Sequence, residues 1–436
     1  MSSGVHIFRR DLRIIDNLAL NKLVSQCSNI YLIFIFDPKQ LKNKYSSSRS
    51  IVFMIQSLLD LNKEVKIEYL KGAPDKEVSK YIKKYNIDIV SFNRDYTPYS
   101  IERDNKIVKE CNKQGTEVII EDDQLLTSIT YDYKVFSPFY KKVSKVKPAI
   151  PLNKSKEIKK KNKSKSTKIP IKIPQLKTDN IVKGGRSILW NLMKTPAFRN
   201  IVLGYTKNRE IPSKNTTWLS AYVKFGCISI RELYYYLKKV KAPEVLVRQV
   251  YWQDFYSLVM WHYPHIKNKS FLPKWDKIKW DKSPTKLKKW KEGRTGYPII
   301  DAGMRQLNET GWMHNRVRML VASFLAKDLY LNWREGEKYF CQKLTDINWA
   351  INTGNWSSVV GVGASALPWF RVMNPTLQQK KYDPDCLYIK QWIPELRGYT
   401  PDEIHDIYLD KKGYPKPIVD HDKQKKIYLD RIKKIN

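Results

Sequence analysis

Over the first 125 residues, short apolar runs alternate with amphipathic stretches: Val5 to Phe8, Ile30 to Phe36, Val65 to Leu70, Ile87 to Phe92 and Val118 to Ile120. Runs this short, separated by helical periodicity, predict the strands of a parallel, Rossmann-like α/β sheet. No GxGxxG follows the first run. Arg9-Arg10-Asp11-Leu12-Arg13 and Asp16-Asn17-Leu18-Ala19-Leu20 stand there instead, so a dinucleotide need not bind at this sheet. From Lys141 to Lys177 the chain is dense in lysine, with Ser, Asn and Pro interspersed and Glu157 as its acid. Such a stretch is expected to be a solvated, mobile connector. Its Lys159-Lys160-Lys161 core also has the chemistry to contact phosphates or direct nuclear import. After about residue 180 helical periodicity takes over, with Trp and Tyr frequent, and the basic end from Lys423 reads as a surface helix or tail. The expected division is an α/β domain over 1–135, a basic linker over 136–180 and a large all-α domain over 181–436.

Composition narrows the class. A chain of 436 residues is long enough for two cores, and a formal net charge of +37 exceeds what solubility needs and draws a polyanion. Nucleic acid is the favoured partner, through a salt-dependent term blind to base sequence. Lysine enrichment from biased genomic composition is the competing explanation of the charge. Cys27, Cys111, Cys227, Cys341 and Cys386 are scattered, with no CxxC and no histidine at ligand spacing, so a reducing compartment and no structural metal are expected. The N-terminus has no signal-peptide pattern and no apolar stretch is long enough for a bilayer span. The expected location is cytoplasmic or nuclear, without secretion or membrane attachment.

Three segments carry the candidate chemistry: Thr295-Gly296-Tyr297-Pro298, then Gly311 to Met319 (GWMHNRVRM), then Asn352-Thr353-Gly354-Asn355-Trp356. On a helix Asn315 and Met319 share a face with Arg316 beside it, while Arg318 points elsewhere, so one segment can serve two surfaces. Trp312, Met313, Val317, Met319 and Leu320 are explained as core. The Asn–Arg pair is what core packing leaves over. Thr216-Thr217-Trp218-Leu219-Ser220 places hydroxyls and N–H groups where a helix through Tyr222 and Val223 should start, which suits a phosphate or an ordinary cap.

In this order the segments resemble the photolyase/cryptochrome family of flavin proteins, from Phe8-Arg9-Arg10-Asp11-Leu12-Arg13 through Tyr382-Asp383-Pro384 to Gln391-Trp392-Ile393-Pro394-Glu395-Leu396. The resemblance implies FAD in the helical domain, with Tyr205 and Thr216 to Ser220 gripping its pyrophosphate and Arg209 nearby. It places Asp346, Ile347 and Asn348 beside the isoalloxazine ring, pairs Asp346 with Arg318, and sets Asn352 facing flavin N5. Trp356, Trp333 and Trp280 match an electron-transfer chain running outward from the ring. Trp252 matches the tryptophan on which a flipped lesion stacks, and Arg209, Gln249, Asn315, Arg316, Met319 and Gln378 are assigned to lesion binding with it, Asn315 also reaching the cofactor. The implied activity is that of the cyclobutane pyrimidine dimer enzymes: reduced FAD, excited by blue or near-ultraviolet light, gives an electron to a dimer flipped out of ultraviolet-damaged DNA, the ring splits and the electron returns. The protein is expected to act as a monomer. The sheet domain would hold an antenna chromophore of folate type, one of deazaflavin type or none at all, with Lys44 standing where folate-binding relatives often have His.

This chain also departs from the family pattern. Gln249 replaces a glutamate, Ser358 a second stacking tryptophan, Gln253 an arginine and Asn348 an aspartate. Gln249 and Ser358 keep open a cryptochrome-like light sensor without repair. The enzymes for the (6-4) photoproduct carry histidines at the Asn315 and Met319 positions, and here His314 is the sole histidine of that helix. A general basic nucleic-acid-binding protein would leave the coupled flavin motifs unexplained.

Overall fold

The computed structural model describes residues 2–41 and 45–435, so the reading of Lys44 lies outside the described residues. Five strands form one parallel sheet in the order β3-β2-β1-β4-β5: β1 Ser3–Phe8, β2 Asn29–Phe36, β3 Glu68–Lys71, β4 Ile89–Asn93 and β5 Glu117–Glu121. All five coincide with the apolar runs of the sequence; the central strands β2, β1 and β4 are buried on both faces and have no polar face to show, while the edge strands β3 and β5 are only partly covered. The order reverses beside β1, where β2 and β4 flank it, creating a crevice at the carboxyl ends of the strands.

The Arg-Arg-Asp-Leu-Arg motif is used up by the fold. Asp11 is 1% exposed and accepts hydrogen bonds from Asn93 Nδ2 (2.6 Å), Asn17 Nδ2 (3.1 Å) and Arg9 N (2.7 Å). Arg13 pairs with Asp123 at 2.5 Å, and Arg231 of the helical part reaches Asp16 at 3.0 Å and Asp123 at 2.7 Å. Four buried charges, two of each sign, therefore clamp the sheet to the helices, the arrangement in which buried charge is tolerated.

The lysine-rich stretch is not the solvated connector expected. Its first part is the helix Phe136–Val143, which buries Phe136, Phe139 and Val143 against the helical part. Further on, Ile158 is fully buried, Asn162 bridges to Ile30, Ser164 Oγ bonds both Leu32 N and Leu32 O, and Thr167 Oγ1 receives Tyr69 N at 2.7 Å. Small hydroxyl residues between the lysines supply the strand edge with partners while the lysines point to solvent; composition concealed this because the anchors are single residues. The final helix, His421–Lys433, buries Tyr428 and Ile432 and is docked rather than trailing. No helix among the described residues is long and apolar enough to cross a membrane.

Candidate functional site

Three helices frame the site: Glu244–His262, Asn315–Ser323 and Trp349–Val360. The first and third close on each other at Gly354, where a Cβ would fall 2.1 Å from the ring of Tyr256. Asn348 caps the third helix, accepting from Ala350 N and Ile351 N. His314 caps the second through Nδ1, which accepts from Arg316 N at 3.2 Å. Burial pushes this imidazole down to about 4, so it stays neutral and able to accept.

The second helix is divided as its spacing predicted. Arg318 turns toward Asp346, with Nη2 3.1 Å from Oδ2, and donates from Nε to Met313 O at 2.8 Å. Ser220 Oγ donates to the same carboxylate at 2.7 Å, joining three distant segments. Asn352 donates from Nδ2 to Glu337 O (3.0 Å) and to Cys341 Sγ, which leaves its amide oxygen available to a ligand. Glu337, which closes the matched Asn332 to Glu337 motif and had no role assigned from the sequence, is itself held by Thr353 and Arg334.

The helix expected through Tyr222 and Val223 is a single turn, Ser220–Lys224, preceded by Trp218 in the left-handed region at φ 49°. A turn this short has little dipole to offer, so anion binding here falls to side-chain hydroxyls. Thr216 and Thr217 are half-buried, Ser220 is exposed, Leu219 is buried and Ile347 half-buried. Tyr205 lies half-buried with the Arg209 guanidinium 5.8 Å over its ring. Hydroxyls for phosphates, a carboxylate–guanidinium pair and one amide oxygen form a donor and acceptor set that fits a dinucleotide bearing a polar fused ring.

On the other side of the same helix, Asn315 is exposed, and Asn315 and Arg316 both approach Met319 Sδ, at 4.0 and 3.9 Å. Arg316 Nε donates to Glu210 at 2.6 Å, and Arg209 pairs with Glu210 at 3.0 Å. One acid missed by the sequence reading thus joins two arginines assigned to the lesion. Arg316 also covers Tyr382, with Gln378 one turn earlier on that helix. Trp252 is half-buried, one face stacked on Phe136 at 3.6 Å and 5°, with Tyr256 beside it at 5.3 Å. Gln249 is exposed and bonded to Val245 O, while Ser358 bonds Ser365 O. Gln253 donates to Gln124 O at 3.4 Å, so it serves the segment after β5. Trp356 and Trp333 are each 3% exposed, and half-buried Trp280 leans on Tyr330 at 5.3 Å.

At a second place, a cavity of about 480 Å³ opens at the carboxyl ends of β1 and β2. Arg9, Arg10, Arg103 and Lys224 line it together with Asp37 and Asp95, the arginines being paired with Asp104 and Asp95, and Phe36 and Tyr99 give it an aromatic side. Burial and then Arg10 push the Lys224 ammonium down to about 7. Asn348 and Trp349 reach this cavity from the turn that carries Asp346, so the two sites share a wall.

The chain is similar to known proteins along nearly its whole length. The family model described as DNA photolyase matches residues 4–157, and the FAD binding domain of DNA photolyase matches 246–434. A deoxyribodipyrimidine photo-lyase of Buchnera aphidicola is 33% identical, over 98% of this chain and 97% of its own length. Among solved structures, the archaeal photolyase from Sulfolobus tokodaii, described with two FAD molecules, superimposes with a TM-score of 0.89 at 38% identity, covering 99% of this chain and all of that one. A class III photolyase from Agrobacterium tumefaciens gives 0.91 at 28% identity, covering 100% and 98%.

Proposed function

The chain belongs to the DNA photolyase family, and from that premise we propose that it is a deoxyribodipyrimidine photolyase that splits cyclobutane pyrimidine dimers in ultraviolet-damaged DNA. The observation that carries this reading is the double-faced helix Asn315–Ser323: Arg318 is turned to Asp346, while Asn315, Arg316 and Met319 face outward. A cofactor on one side and a lesion on the other would be separated by one helix thickness. Reduced FAD, when bound, supplies light absorption and a one-electron donor.

The chain's own residues do the rest. Thr216, Thr217 and Tyr205 would offer hydroxyls to the pyrophosphate, while Ser220 spends its own on Asp346. The Arg318–Asp346 pair would present opposite charges to the flavin ring without adding net charge. Because Asn352 spends its NH2 on Glu337 O, its oxygen can accept from a protonated ring nitrogen, which favours the reduced cofactor. On the lesion side, Trp252 has a rigid backing in Phe136 and can offer a flat face to an extruded base. Asn315, Gln249 and Gln378 can hydrogen-bond base edges, and Arg316 and Arg209 give positive charge toward the backbone.

The cavity at the carboxyl ends of β1 and β2 suits an accessory chromophore; the two FAD molecules of the S. tokodaii relative add a flavin to the folate and deazaflavin candidates. Gln249 and Ser358 favour the second reading, a light sensor without repair. The (6-4) photoproduct is disfavoured because His314 is buried and committed to a helix cap. The deciding experiment is illumination of reduced protein with dimer-containing DNA, counting restored pyrimidines. Restoration dependent on light is expected; a flavin-loaded protein that restores none is a sensor.

A further inference from the structure

We propose that Trp290 and Tyr339 form a second electron route, branching from Trp356 and ending at the surface by Tyr339. The inference rests on the proposed function, in which Trp356 is the indole nearest the flavin. The ring of Trp356 meets that of Trp290 at 6.2 Å between centroids and 70°, and Trp290 meets Tyr339 at 6.0 Å and 61°. Both are edge contacts, so three oxidisable rings run without a gap from the core to the half-buried Tyr339. Phe340 touches Trp356 more closely, at 5.0 Å, but a phenyl ring is far harder to oxidise and offers no stop.

Burial decides what each stop can do. Trp290 is 0% exposed and its Nε1–H donates to Val321 O at 3.1 Å. A backbone carbonyl cannot take that proton, so an oxidised Trp290 keeps its charge and passes it on. Tyr339 differs in exposure: its hydroxyl donates to Asn308 Oδ1 at 2.6 Å, an amide oxygen that cannot keep the proton either, but the residue is half-buried rather than enclosed, so water can take the proton. The Lys291 and Lys343 ammonium groups stand 5.4 and 5.3 Å from its ring. They oppose a cation on the phenol, so electron loss must be accompanied by proton loss, which makes Tyr339 a trap.

The balance is one electron throughout. With flavin bound, one electron would leave Trp356 for the photo-excited oxidised cofactor; Trp290 would refill Trp356 and Tyr339 would refill Trp290, its O–H bond breaking and the proton passing to water. A one-electron donor in solution, a thiol or ascorbate, then restores the phenol with a proton from solvent. The route would serve to reduce the cofactor before repair and is separate from the Trp333 and Trp280 path.

The test uses flavin-loaded full-length protein, flash illumination and electron paramagnetic resonance, with flavin reduction followed by absorbance. A neutral tyrosyl signal is expected whose formation slows at least twofold in D2O, and Tyr339→Phe, which keeps the ring, should lower it at least tenfold. Starting from Trp333→Phe, adding Trp290→Phe should slow flavin photoreduction at least fivefold further. As a readout independent of the flavin, oxidation of the apoprotein by azide radicals should give a tyrosyl signal that Tyr339→Phe reduces at least twofold. An undiminished signal in Tyr339→Phe, or equal rates in Trp333→Phe with and without Trp290→Phe, overturns the branch. Trp356→Phe separates the two claims: photoreduction that survives it means that the placement of Trp356 next to the flavin has failed, whatever becomes of Tyr339.

Discussion

Asp254 accepts three hydrogen bonds through one oxygen, from Leu126 N, Thr127 N and Thr127 Oγ1, while its other oxygen is buried without a partner among the described residues. Burial raises its pKa to about 7. Between the unfolded value near 3.8 and the folded one, the native protein holds a proton that the unfolded chain releases. This contribution to stability is therefore complete below about pH 4 and lost as pH rises through 7. Asp254→Asn keeps the acceptor without the charge, and melting curves from pH 4 to 8 should show the wild type losing Tm relative to the variant. Parallel profiles would mean that the carboxyl is ionised throughout. At Trp252, replacement by Ala should weaken binding to dimer-containing DNA by about 1–3 kcal/mol while leaving undamaged DNA nearly unaffected; equal losses in a binding titration would assign the ring to packing on Phe136. The opposite orientations of Asn315 and Arg318 were legible from helical period alone. Glu210 and Glu337 were not, because nothing in the spacing of an acid tells which distant arginine or threonine it will meet.

Among elements, the Trp349–Val360 helix is the most constrained. Gly354 lets Tyr256 approach, and Gly336 of the helix Trp333–Lys343 does the same for Trp356, with a Cβ there 2.1 Å from the indole. Gly354→Ala should cost about 1–3 kcal/mol by overpacking and loosen the grip on FAD, since Asn352 rides on the displaced helix. Denaturant melts and flavin content after gel filtration check both; an unaltered flavin content would uncouple the helix packing from the cofactor. The Thr295-Gly296-Tyr297-Pro298 segment has a structural explanation: Thr295 N and Oγ1 and Gly296 N all bond Asp301, and Tyr414 closes the same carboxylate at 2.6 Å. Its polar pattern carried the family resemblance while its work is a buried staple. The one-turn Ser220–Lys224 helix shows the converse limit, since hydroxyl residues before an apolar pair predict a start but not a length.

Across the whole molecule the +37 charge is unevenly engaged. Exposed Lys141, Lys142, Lys145 and Lys147 extend from the helix whose Phe136 backs Trp252, whereas Lys156, Lys159, Lys160 and Lys163 belong to the stretch fastened along β2 and β3. Replacing the first four by Gln should flatten the salt dependence of DNA binding by about 0.9 for each phosphate that is no longer neutralised, and replacing the second four should change it far less. Equal effects in salt titrations would show diffuse attraction. What the sequence determined by itself was whatever depends on period and local chemistry: five apolar strands, a helical second half, the two faces of Asn315–Ser323, and a family pattern spread along nearly the entire chain. Tertiary structure alone decided which charges neutralise one another, how Arg13 and Arg231 clamp two regions through shared aspartates, and that a lysine-rich stretch is fastened rather than free. The physical reason is range: strand and helix signals lie within a few residues, whereas buried ion pairs and ring contacts join segments a hundred or more residues apart.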